Sequence, residues 1–119
     1  YEVAVNLIYS GCVEEGLTVV KSIRDRYDGY KRNPCSEIES GHHYCRAMAS
    51  WGVLNALLGL QSDMYRGTLS FHPAIEGEMS SFFICGKAWG IYSQKEENGK
   101  MCKHIDILYG TLDDIHVQE

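Results

Sequence analysis

The chain has 119 residues, 45% of them hydrophobic and thirteen of them aromatic, eight being tyrosine, with a formal net charge of -5. That is one domain or part of one, long enough to bury a core. The acidic balance excludes a basic nucleic-acid surface, and the lack of a run of 18 apolar residues excludes a transmembrane helix.

In chain order, residues 2–10 (EVAVNLIYS) place Val3, Ala4, Leu7 and Ile8 on one helical face, with Gly11 available to stop the turn. Residues 13–28 repeat the pattern with Val13, Leu17, Val20, Ile23 and Tyr27. Glu14 and Glu15 open that helix and Lys21, Arg24 and Arg26 close it, an order that suits the helix dipole. Two residues separate the patterns, which predicts antiparallel neighbours. The chain opens without Met inside a helical pattern and shows no basic leader, which suggests an excised or processed piece.

Residues 30–40 are expected as a loop, since Pro34 disfavours helix just before it. Ser40 can cap a helix over 42–58, where small and large apolar residues alternate on nearly every side. Such a helix is expected to be buried all round. After Gly59 the period shortens to about two. Residues 68–73, 81–85, 88–94, 103–110 and 111–117 read as strands, with Asn98-Gly99 as a hairpin turn and Cys85-Gly86-Lys87 as a second turn. Helices therefore occupy 1–60 and an antiparallel strand group 66–119.

The five cysteines, Cys12, Cys35, Cys45, Cys85 and Cys102, are odd in number and widely spaced, without a CxxC pair. That usage fits reduced, partly buried thiols in a cytoplasm-like compartment rather than a disulfide framework.

Chemistry concentrates in NPCSEIESGHHYCRAMASW, residues 33–51. Cys35, His42, His43 and Cys45 offer metal-ligand types. Adjacent histidines on a helix point about 100° apart, however, and the short ligand pairs of a structural zinc site are missing. Cys35 ahead of a helix start, with His42 or His43 as base, could form a thiol nucleophile. Glu37 and Glu39 are two carboxylates, but from one short segment they would not flank a substrate from opposite sides. Glu37 and Arg46 can pair as an acceptor and a donor, with Trp51 as a nearby ring. That pair is either a structural ion pair or a grip on vicinal hydroxyls, and the residues alone leave both open.

The run VEEGLTVVKSIRDRYDGYKRNPCSEIESGHHYCRAMASWGVLNALLG, followed by GTLSFHP and SFFICGKAWGIYSQ, carries the pattern RDRYDGxKRNPxxEIExGxHYxRxMASW. It resembles glycoside hydrolase family 116, the bile-acid β-glucosidases and non-lysosomal glucosylceramidases, and most closely a bacterial-type member. The likeness covers residues 1 to 94 well and the tail loosely.

This resemblance implies a mainly α fold with β: the last helices of an (α/α)6 six-hairpin barrel followed by a small antiparallel strand group. It implies a retaining β-glycosidase acting on a β-glucoside or a glucosylated lipid, with no cofactor and no metal. The nucleophilic Glu and the acid/base Asp of the family would lie in an N-terminal part of the hydrolase, ahead of Tyr1. The chain would then hold sugar-binding residues and no catalytic carboxylate, and would be inactive alone. By motif position Glu37 and Arg46 bind sugar hydroxyls, and His42 and His43 line the pocket wall. The family carries an aromatic residue where Cys35 stands, Asn at Ser36, Cys at Ser40 and a small residue at Cys45. Loss of a ring at Cys35 bears on substrate preference. The alternative is a non-enzymatic carbohydrate-binding or interaction module.

Overall fold

The computed structural model describes residues 1–27, residue 30 and residues 47–118. Two compact units divide the chain, Tyr1–Ala56 and Leu57–Glu119.

Helix α1 spans Glu2–Tyr9, α2 spans Val13–Arg26 and α3 spans Ala47–Leu58. Ala4 and Ile8, one turn apart on α1, are its buried residues. They meet α2 at Gly16, where an added Cβ would sit 2.6 Å from Ile8 Cγ1 and 3.0 Å from the Ala4 carbonyl oxygen. The missing side chain is what lets the two helices approach this closely. Val5 packs in the same way against Gly52 of α3, at 3.0 Å from the position of a Cβ there. Exposed positions of α2 carry local pairs such as Lys21 to Asp25, worth a few tenths of a kcal/mol.

The second unit holds six strands. They are β1 Leu60–Asp63, β2 Thr68–Phe71, β3 Met79–Ile84, β4 Ala88–Glu97, β5 Lys100–Gly110 and β6 His116–Gln118. Two three-stranded sheets form, ordered β1-β2-β6 and β3-β4-β5. β1 pairs with β2 antiparallel, and β6 joins β2 parallel. The second sheet is an antiparallel meander, with a register irregularity between Trp89 and Gly90. Its β4–β5 turn rests on Asn98 (φ 53°) and Gly99 (φ 75°), both in the left-handed region that a two-residue hairpin turn requires.

Alternation decides what each strand buries. In β4 the buried positions are Ala88, Gly90, Tyr92 and Gln94. The inner faces of the two sheets meet in a core of Leu58, Leu60, Leu69, Phe71, Phe83, Tyr92 and Ile115. Phe71 of β2 stacks on Tyr92 of β4 at 4.7 Å, and Phe83 of β3 meets Phe71 edge-on at 5.2 Å. Each fully buried ring of this kind contributes about 1.5–3 kcal/mol by leaving water. Gln94 is buried beside them and is satisfied: it accepts from the Tyr92 hydroxyl at 3.2 Å and donates to the Gly77 carbonyl at 2.6 Å.

Several expectations are corrected. The mainly α fold with a six-hairpin (α/α)6 barrel is not what forms. Among the described residues there are three helices and six strands in two small sheets, with slightly more strand than helix. The strands are two sheets rather than one antiparallel group, and the β2–β6 pair is parallel. Helix α3 is not buried all round: Met48 is 85% exposed and Trp51 44%, while Val53, Ala56 and Leu58 are buried. Cys12 and Cys102 are exposed free thiols, and Cys85 is half-buried.

Candidate functional site

The sequence places the site between the end of α2 and the start of α3. Glu37, His42, His43 and Arg46 lie outside the described residues, as do Cys35, Glu39 and Cys45. What the structure gives is the frame on either side of them.

On the near side α2 carries Arg24 and Arg26 in its last turn and is capped at Tyr27. The Tyr27 N–H donates to the Ile23 and Arg24 carbonyls at 3.3 and 3.1 Å, closing the helix there. On the far side α3 begins at Ala47, the residue after Arg46. Its first turns, with Met48 and Trp51 open to solvent, lie immediately after the motif's polar residues.

Those turns border a cavity of about 440 Å³ lined by Glu2, Val5 and Asn6 of α1 and Met48, Ala49 and Gly52 of α3. The physical reason for the opening is the run of small residues on α3. Ala49 has only a methyl side chain to fill the space, while Gly52 is covered by Val5, which forms the floor. Glu2 and Asn6, one helical turn apart, add an acceptor and an amide to an otherwise apolar wall. Its size falls within the range of small-molecule sites. Sequence reasoning gave Glu2 and Asn6 no part in a site. Their i, i+4 spacing puts them on one side of α1, but no local signal says that α3 stands beside that side.

The Tyr9 phenol, at the end of α1, is pushed above the ordinary 10.0 by partial burial. Among the described residues no cluster of three or more His, Cys, Asp or Glu side chains is placed to hold a metal ion. No described helix is long and apolar enough to cross a membrane. No protein-family model matches the chain, and no curated protein matches it either.

Proposed function

We propose that the chain contributes the glucose-gripping residues of a retaining β-glucosidase or glucosylceramidase-type hydrolase. The observation that carries this reading is the motif itself, in which Glu37 and Arg46 stand nine residues apart within RDRYDGxKRNPxxEIExGxHYxRxMASW. The setting of the motif supports it: α2 ends at Arg26, within the first residues of the motif, α3 begins at the residue after Arg46, and the first turns of α3 border an open cavity.

In the proposed chemistry the Glu37 carboxylate accepts from one sugar hydroxyl and the Arg46 guanidinium donates to its neighbour. Fixing two adjacent hydroxyls fixes the ring and so the position of its anomeric carbon. The two carboxyl groups of a retaining enzyme, about 5–5.5 Å apart, would come from polypeptide ahead of Tyr1. His42 and His43 line the wall of the pocket. A reducing, cytoplasm-like compartment and a β-glucoside or glucosylated lipid as substrate belong to the same proposal.

The test is to express the chain together with the polypeptide encoded in frame ahead of Tyr1 and to measure hydrolysis of an aryl β-glucoside. Activity is expected of the extended protein and not of residues 1–119 alone. Arg46→Ala is expected to cost about 2–5 kcal/mol in transition-state binding, because it also strands the Glu37 carboxylate. An unchanged kcat/KM in Arg46→Ala overturns the assignment. The second reading is a non-enzymatic carbohydrate-binding or interaction module, favoured by the motif alignment, which assigns no catalytic carboxylate to residues 1–119. Saturable sugar binding without turnover by the extended protein would select it.

A further inference from the structure

The sheet β1-β2-β6 turns its apolar residues inward and leaves a polar outer face. Register sets Gln61, Ser70 and Gln118 in one row across the three strands, and Asp63, Thr68 and His116 in the next. With Arg66 from the β1–β2 turn, most of these residues enclose a depression of about 410 Å³. Ser70 lies at its base. It is only 8% exposed, and its hydroxyl makes no hydrogen bond among the described residues. No described buried side-chain nitrogen or oxygen lacks a partner, so this unbonded hydroxyl opens onto the depression it lines and is available to whatever enters it.

The chemistry of the lining selects the occupant. No large apolar side chain contributes, so a lipid tail or an aromatic ring gains nothing here. Asp63 accepts from the Arg66 N–H at 2.9 Å and lies 3.7 Å from the Arg66 Nε, so the one acid and the one base offset each other and leave no field for a polyanion. A single carboxylate is also too few for a calcium site, which takes six to eight oxygens. What remains is a neutral molecule offering donors and acceptors in equal measure. Two carboxamides, Gln61 and Gln118, flank the Ser70 hydroxyl, and each can donate and accept in one plane. Adjacent hydroxyls on a ring present the matching pattern.

We propose that this outer face is a binding site for a neutral polyol, of the class of a single sugar ring. None of its residues belongs to the motif at 33–51, so the site rests on its own geometry.

The test is an amide-resolved NMR titration of the full 119-residue chain with methyl β-D-glucopyranoside. Saturable shifts at residues 60–71 and 116–118, with a millimolar dissociation constant, are expected, whether or not residues near Glu37 and Arg46 shift as well. The double variant Gln61→Ala/Gln118→Ala changes two exposed side chains and is expected to weaken binding ~10-fold through loss of two hydrogen bonds. Ser70→Ala, a second probe, is expected to weaken it as well. Glu37→Gln/Arg46→Ala is expected to leave these shifts in place, which separates this site from the hydrolase reading. Absence of saturable shifts at residues 60–71 and 116–118, or binding there that both sets of β-sheet variants leave unchanged, overturns the proposal.

Discussion

Replacing Gly90 by alanine tests the packing of β4 against β5, where a glycine sits directly over partner backbone. Gly90 has an ordinary strand φ, so an alanine there meets no backbone strain of its own, only neighbours. Its Cβ would sit 2.0 Å from the Asp106 carbonyl oxygen and 3.1 Å from the Ile107 Cα. Both are backbone atoms of β5, opposite the irregularity at Trp89/Gly90, and neither can rotate away. The strand must therefore retreat by on the order of an ångström, which takes neighbouring N–H···O distances beyond the useful range. Overpacking of this kind costs about 1–3 kcal/mol, and each weakened ladder bond adds about 1 kcal/mol. The reduced freedom of the unfolded chain returns about 0.4–1 kcal/mol. A net loss of about 2–4 kcal/mol is expected in urea unfolding followed by Trp89 emission, with Trp51 changed to Phe so that one tryptophan reports. Gly86→Ala is the comparator, because its added Cβ meets only the flexible Met64 side chain, Cγ at 3.3 Å; it should change stability by less than ~0.5 kcal/mol. If Gly90→Ala proves as mild as Gly86→Ala, the steric reasoning is refuted.

Two further outcomes follow from the helical unit. Gly16→Ala gains about 1 kcal/mol of helix propensity but drives a Cβ into Ile8 and the Ala4 carbonyl, so a net loss of about 1–2 kcal/mol is expected, read as faster hydrogen exchange in α1; slower exchange would contradict it. Tyr9 should titrate above the ordinary phenol value of 10.0 when followed by ring NMR. Because its folded pKa lies above the unfolded value of 10.0, the folded state keeps the proton longer, and the associated stability is present below pH 10 and lost as the pH rises through the folded pKa. A Tyr9 midpoint at or below 10.0 would contradict this.

Local chemistry was legible and distant pairing was not. Asn98-Gly99 announces its turn because few other dipeptides tolerate two left-handed residues in succession, and the strands on either side read correctly from alternation. The stretch 111–117 alternates just as well, with Leu112, Ile115 and Val117, yet only its end is strand. Thr111 Oγ1 accepts from the Asp113 N–H and the Ile115 N–H donates to the Leu112 carbonyl, so a turn takes the middle of it. β1 was missed because LQSD has a single strongly apolar residue, Leu60, and becomes a strand through its partner Phe71 and its neighbours. The barrel expectation failed at the level of assembly. A helix apolar on all sides, as α3 is, signals that neighbours are wanted without saying how many the described chain provides. For the site, residue type offers Glu37 and Arg46 as an acceptor and a donor, and only the family resemblance proposes a sugar-binding role for them, while the grouping of Glu2 with Asn6 beside α3 and the Gln61–Ser70–Gln118 row emerge only once strands and helices are set side by side.

The parallel attachment of β6 has a kinetic consequence. Residues 68–70 wait for residues 116–118, and the entire β3-β4-β5 meander lies between them in the chain. The β4–β5 hairpin, closed by a two-residue turn, can form within microseconds, but the β2–β6 pair must close a long loop, and such contacts are slow. In a chain made from its N-terminus, β2 remains a bare edge until Gln118 has been added. The polar row of Gln61, Ser70 and Gln118 is therefore among the last features of the molecule to exist.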